Sequence, residues 1–284
     1  MANGLALVNK PKGITSFDVV ARVRKLINQK KVGHAGTLDP MATGLMLVGV
    51  GQGTKLLSYL VGLDKQYRAT IRLGQATVSD DVDGSVTSSM DASFLTALEV
   101  DAEIAKLRGS ISQLPSSVSA KKVDGKRAYD LVREGKEFEL KPKDVVITRF
   151  DRVSELRVHD GLVDFDVIVD CSTGTYIRAL ARDIGQALGV GGHLIALERT
   201  RVGNYLLSDA QETSTGLEIE SLVSAVGKIM PLIELSTDQV IHVRHGKPLA
   251  GLEVEGRVGL VHEGSLIGIS SVRDGLLRSE VVFN

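Results

Sequence analysis

The sequence has no tryptophan, one cysteine among 284 residues, and a formal net charge of −1. Each shortage excludes something. Cys171 on its own can form neither an internal disulfide nor a thiolate zinc cluster within one chain, which agrees with a reducing compartment. It falls in phase with the apolar side of an alternating segment, where a small buried hydrophobe is expected rather than a nucleophile. No apolar run approaches the roughly 20 residues that span a bilayer, and Met1–Asn9 lacks the basic and apolar regions of a secretory signal. A cytoplasmic, membrane-free protein is the expectation. The six histidines show no ligand spacing, so no metal is expected. The near-zero charge gives no global basic signature, so any affinity for a polyanion must come from one positive face. Lys and Arg do gather in Lys10–Lys31 and Lys121–Lys143, as solvated surfaces or as such a face.

Two familiar signals fail on their spacing. Gly49-Val50-Gly51-Gln52-Gly53 misplaces the third glycine of a dinucleotide-binding turn, and Thr54-Lys55 reverses the order of a phosphate-cradling loop. A turn between strand and helix is the better reading. Asp81, Asp83 and Gly84 match the middle of a calcium loop, but its last ligand position is Met90, whose thioether cannot supply a bidentate carboxylate.

The patterning predicts an α+β chain. Gly4–Asn9 reads as a strand closed by a Lys10-Pro11-Lys12-Gly13 turn. Thr15 and Asp18 have capping-box spacing ahead of Val19, Val20, Val23, Leu26 and Ile27 at helical intervals. Gln66–Leu73 alternates, with Tyr67, Ala69, Ile71 and Leu73 on one side; Val163–Cys171 alternates with three aspartates on its polar side. Both read as antiparallel strands with one wet face. Ala92–Leu107, Thr175–Leu188 and Ile219–Val226 read as helices. After Pro231 the texture changes to short apolar segments punctuated by glycine, as in a small all-β unit that must dock on the larger one. The expected division is therefore 1–230 and 231–284.

The segment Val32–Pro40 is a poor helix and a poor strand, with two glycines and a closing proline, and loops of this kind often carry chemistry. Taken alone, Asp39 before a proline is more often a turn-forming aspartate than a catalytic one, and His34 more often a structural hydrogen-bonding residue than a functional one.

Separated motifs in a fixed order extend the reading: Lys10-Pro11-Lys12-Gly13-Ile14-Thr15-Ser16, Gly33 through Gly44, Lys65-Gln66-Tyr67, Thr77 through Gly84, Gln113-Leu114-Pro115, Ser119 through Lys122, Gly125 through Tyr129, Cys171 through Arg178 and Leu197-Glu198-Arg199-Thr200. Through these the chain resembles the TruB family of tRNA pseudouridine synthases along nearly its whole length. Ser116 stands where the family usually has a second proline, and Glu198 where an arginine is common.

The resemblance implies a mixed, mainly antiparallel catalytic domain of pseudouridine-synthase type and a short C-terminal unit of the PUA type. It implies isomerisation of uridine 55 in the T loop of tRNA, with the base flipped out and no cofactor. Asp39 is then the nucleophile, Arg178 its charge partner, and Tyr67 the residue that stacks on the base. Tyr176 and Leu197 line the uracil pocket, and His34 fills the space the base leaves. Lys10, Lys122 and Arg127 become phosphate contacts, together with Lys12, Lys121 and Lys126. From the residues alone, Tyr67 and Leu197 fit core packing as well, and Arg178 fits an exposed helix position paired with Asp183. Rival expectations are a non-catalytic tRNA-binding or tRNA-folding protein of the same fold, and a carboxylate-pair hydrolase, for which a second loop carboxylate is missing. A monomer without an obligatory protein partner is expected, because the C-terminal unit is short for a guided multi-subunit enzyme.

Overall fold

The computed structural model describes residues 1–116, 141–214, 216–250 and 254–283, and the backbone of 122–123 and 126–127. The strands that position the site are β1 (Gly4–Lys10), β2 (Val32–Ala35), β3 (Thr43–Val50), β4 (Lys65–Leu73), β5 (Gly109–Gln113), β6 (Lys143–Arg152), β7 (Leu162–Cys171) and β8 (Gly192–Val202). Among the described residues they belong to a ten-stranded sheet ordered β1-β3-β8-β4-β7-β6-β5, with β2 paired to β3. All pairs along this path are antiparallel except β8 with β3, which run parallel over Glu198↔Thr43 and Arg199↔Gly44.

The alternation in β4 and β7 is realised as expected. Tyr67, Ala69, Ile71 and Leu73 are buried, as are Val163, Phe165, Val167, Val169 and Cys171. They pack beneath the helices Ser16–Leu26, Ala97–Lys106 and Ile177–Ala187 through Val19, Val20, Val100, Ile104, Leu180 and Ile184. Complete burial of such side chains contributes about 1.5–3 kcal/mol each. The opposite face is a ladder of polar pairs across neighbouring strands: Arg72 with Asp164 at 2.7 Å, Thr70 with Asp166 at 2.8 Å, and Gln66 with Asp170 at 3.0 Å. Arg157 also reaches Asp166, and Arg201 reaches Asp170.

The capping box is present, with Thr15 accepting from the Asp18 amide and Asp18 from the Thr15 amide. Gly51–Leu56 forms a 3-10 turn after β3, in place of a nucleotide loop. Two elements differ from expectation. Val32–Ala35 is a strand, because its backbone pairs with β3 over Val32↔Val50 to Ala35↔Leu47. The C-terminal unit carries a helix, Thr237–Arg244, capped by Ser236 and Gln239, beside its four-stranded sheet. Ile241 lies exposed on that helix, so no regular apolar stripe announces it. The unit shares a core with the large sheet: Leu266, Ile269 and Phe283 pack with Leu5, Leu7, Leu45 and Leu47.

Candidate active site

The loop between β2 and β3 is held from three directions. Lys10, wholly buried, donates through Nζ to the carbonyls of Ala42 at 2.6 Å, Pro11 at 3.0 Å and Pro40 at 3.3 Å. The Gly13 amide donates to Pro40 O at 2.8 Å. Ser16 Oγ donates to Leu38 O at 3.0 Å and accepts from Leu38 N at 2.8 Å. From the other side Arg199, also wholly buried, donates to Leu45 O at 2.7 Å and to Gly36 O at 3.1 Å. Gly44 makes that approach feasible: its φ is +103°, and a Cβ there would lie 2.4 Å from Arg199 O. The backbone around Asp39 is therefore fixed before any ligand arrives.

Ser16→Ala should cost about 1–3 kcal/mol, because it leaves the buried Leu38 amide and carbonyl unpaired. Equilibrium denaturation measures this. Unchanged stability would contradict the bracing role.

Asp39 opens onto the cleft with its side chain 38% exposed, and its Oδ2 lies 3.0 Å from Nε of Arg178. Arg178 is buried at the start of the helix Ile177–Ala187 and is itself over-determined. Its Nη1 lies 3.1 Å from Oδ2 of buried Asp81 and donates to Ser79 O at 2.7 Å. Asp81 is fixed in turn by the Ser79 hydroxyl at 2.5 Å and the Asp83 amide at 3.1 Å. The turn that presents these acceptors has Asp80 at φ +59°, a left-handed conformation that aspartate tolerates better than most residues. Crowding by protein raises the Asp39 pKa above the usual carboxylate range, and Arg178 opposes that shift.

The carboxylate lies on the wall of a cavity of about 400 Å³ whose lining includes Tyr67, Tyr176, Arg178, Leu197, Lys65 and Arg199. Strand register brings Tyr67 opposite Arg199 and Ala69 opposite Leu197. Burial raises the Tyr67 pKa, so its hydroxyl stays protonated, and the positive charge of Arg199 opposes that rise. Tyr176 precedes the helix and is clamped by Gln113, which accepts from its amide at 2.8 Å and donates to its carbonyl at 3.0 Å. Lys65 donates to Leu63 O at 2.5 Å and Val61 O at 3.0 Å, and burial lowers its pKa to about 8.

Five of the anticipated residues thus meet around one cavity: Asp39, Tyr67, Tyr176, Arg178 and Leu197. His34 lies on β2 outside that lining, with Nδ1 buried and without a hydrogen-bond partner among the described residues. Burial, followed by Arg199, lowers its pKa and favours the neutral ring. Lys10 is corrected. An ammonium with no exposed surface and three carbonyl acceptors cannot contact a phosphate, and its role is to hold the loop. Lys122 and Arg127 have side chains outside the described residues, as do Lys121 and Lys126. Arg178 is corrected away from the exposed-helix alternative, since Asp183 pairs with Arg182 instead. Asp81, Ser79, Ser16, Gln113 and Arg199 were not assigned roles from the sequence, although each falls within a matched motif.

The N-terminal domain of the TruB family of pseudouridylate synthases matches residues 24–177. The C-terminal domain of tRNA pseudouridylate synthase B matches 178–226. The tRNA pseudouridine synthase B of Mycobacteroides abscessus is 50% identical over 262 residues, covering 91% of this chain and 88% of that protein. The tRNA pseudouridine synthase B of an Arthrobacter species is 45% identical over 297 residues, covering 100% and 97%. The fold is shared with the solved archaeal box H/ACA sRNP Nop10–Cbf5 complex, with a TM-score of 0.71 at 20% identity over 99% of this chain and 86% of that one. With half of its residues identical to such a relative over nine-tenths of its length, and a cavity built from the family's own motifs, the chain belongs to the TruB family of pseudouridylate synthases.

Proposed function

We propose that the protein isomerises uridine 55 in the T loop of tRNA to pseudouridine, with Asp39 as the nucleophile. The carrying observation is the carboxylate held at 3.0 Å by a buried arginine on the wall of a cavity of about 400 Å³. The reaction breaks the bond between C1′ and N1 and joins C1′ to C5. The proton lost from C5 is balanced by one gained at N1. No electron leaves and no second substrate enters, so the chemistry calls for no cofactor or metal.

The base must leave its stack to enter such a cavity. Tyr67 stacks on it, while Tyr176 and Leu197 form the walls. His34 occupies the space vacated in the RNA. Asp39 supplies the attacking oxygen, kept ionised by Arg178 against the desolvating surroundings. Lys12, Lys122 and Arg127 contact the phosphates, which makes affinity depend on salt. Residues 1–230 act as the catalytic domain and 231–284 as a PUA-like unit, in a cytoplasmic monomer that works without a protein partner. Arg178 together with the braced Asp39 loop favours an enzyme over a binding protein of the same fold.

An unmodified tRNA transcript incubated with the protein should gain one pseudouridine, at position 55, with a chelator making no difference. Mapping the modified position tests this. Modification elsewhere, or activity that disappears with the chelator and returns with a divalent ion, would contradict the reading.

A further inference from the structure

The connection between β3 and β4 runs from the C-terminal unit to the Asp39 cavity. Its 3-10 turn, Gly51–Leu56, continues into a short helix, Leu57–Val61. Leu56 and Leu60 are wholly buried in one cluster with Leu266, Ile269 and Phe283 of the C-terminal unit. Polar contacts reinforce that packing. The Tyr59 hydroxyl donates to Oε2 of Glu280 at 3.1 Å, and Lys55 Nζ donates to Val282 O at 2.7 Å. Glu280 is held in turn by Arg257 Nε at 3.0 Å. Burial and then Glu280 push the Tyr59 pKa up to about 12, so the hydroxyl remains a donor at neutral pH.

The far end of the helix meets the cavity. Val61 belongs to its lining, and Val61 O accepts from Lys65 Nζ at 3.0 Å and from Thr173 Oγ1 at 2.7 Å. Both donors line the same cavity. Lys65 opens β4, two residues before Tyr67, and Thr173 lies in the loop that leads into the helix of Arg178. One carbonyl therefore ties together the segments that carry Tyr67 and Arg178. A helix of five residues has no stability of its own, so its position comes from what packs on it. Much of that packing comes from the C-terminal unit.

We propose that the C-terminal unit sets the geometry of the Asp39 cavity through this helix, with Tyr59 and Glu280 as positioning residues for the isomerisation. The inference rests on the functional reading above. It gives the unit a part in the chemical step that a module supplying only RNA affinity would not have.

The test uses Tyr59→Phe, which removes one hydroxyl and keeps the ring, and Glu280→Met, which removes the acceptor and keeps the side-chain length. The arginines that pair with Glu280 are exposed, so both variants should fold. With an unmodified tRNA transcript at saturating enzyme, the single-turnover rate should fall roughly threefold in the first and roughly tenfold in the second, with tRNA affinity retained. Glu280→Gln keeps an acceptor for Tyr59 and should recover part of the loss. Thr173→Val breaks the path at its other end. Combined with Glu280→Met, it should cost less than the product of the two single effects, because each break frees the same carbonyl.

Lys65 provides a readout besides activity. Burial lowers its pKa to about 8, and the groups that act on its charge, Arg199, Cys171, Asp64 and Lys143, are unchanged in these variants. A loosened wall admits water, so the Lys65 titration, followed by NMR of its labelled Cε, should move to higher pH in Glu280→Met. Wild-type single-turnover rates in both variants, a loss confined to affinity, or an unmoved Lys65 titration would overturn the proposal. A Lys65 titration that moves as expected in a protein that never isomerises the target uridine would sink the functional reading and leave the positioning standing.

Discussion

Arg178→Lys should leave a folded protein whose rate of isomerisation has fallen by roughly a hundredfold, the scale associated with losing one preorganised charged donor. One guanidinium here serves three acceptors, reaching Asp39, Asp81 and the Ser79 carbonyl from fixed directions. An ammonium is a point charge on a flexible stem and cannot reproduce that fork. Arg178→Ala should go further. It strands the buried Asp81 carboxylate without a counter-charge, a change that costs about 3–5 kcal/mol of stability in comparable buried pairs.

The pH dependence gives a separate signature. Arg178 lowers the pKa of Asp39, whose net shift is upward. Removing the guanidinium raises that pKa further, so the acidic limb of the pH–rate profile should move to higher pH in Arg178→Ala. Single-turnover rates across pH check both points. A lysine variant with the wild-type rate, or an alanine variant with an unmoved acidic limb, would show that Arg178 does not govern the Asp39 charge.

What the sequence revealed depended on whether the deciding interactions were local. The alternation of Tyr67, Ala69, Ile71 and Leu73 is a period-2 signal, and the strand formed where it was expected. The Thr15–Asp18 capping box is equally local. Lys10 went wrong for the converse reason. It stands in a basic run that reads as a positive surface, while the carbonyls that bury it come from Pro40 and Ala42. Val32–Ala35 has no strand pattern of its own and becomes a strand through its pairing with β3. Asp81 resembled half of a calcium loop, and its real partner, Arg178, lies 97 positions along the chain. The need for glycine at 44 comes from its φ of +103° and from the parallel pairing of β8 with β3, which brings the Arg199 backbone against it. For Asp39, composition and local pattern favoured a turn residue over a catalytic one. The motif order raised the second, and the ion pair with Arg178 is the geometric observation that supports it.

Asp39→Asn should abolish measurable catalysis while leaving tRNA affinity close to wild type. The amide keeps the size and much of the hydrogen bonding of the carboxylate but cannot act as the nucleophile. The rate should fall by at least roughly a hundredfold to ten-thousandfold, and by more if attack is covalent. Stability should hold or rise slightly. The folded-state pKa of Asp39 is raised, so its ionised form is disfavoured by folding above that pKa, and this cost vanishes as pH falls through it. The neutral amide never incurs it, although it also forgoes the Arg178 charge. Thermal unfolding across pH should therefore show wild type gaining on the variant as pH falls. The decisive measurement is single-turnover pseudouridine formation by Asp39→Asn at saturating enzyme, read at the target uridine alongside tRNA affinity. A loss of at least a hundredfold with affinity retained is the predicted result; a near-normal rate in a folded variant would contradict Asp39 as the nucleophile.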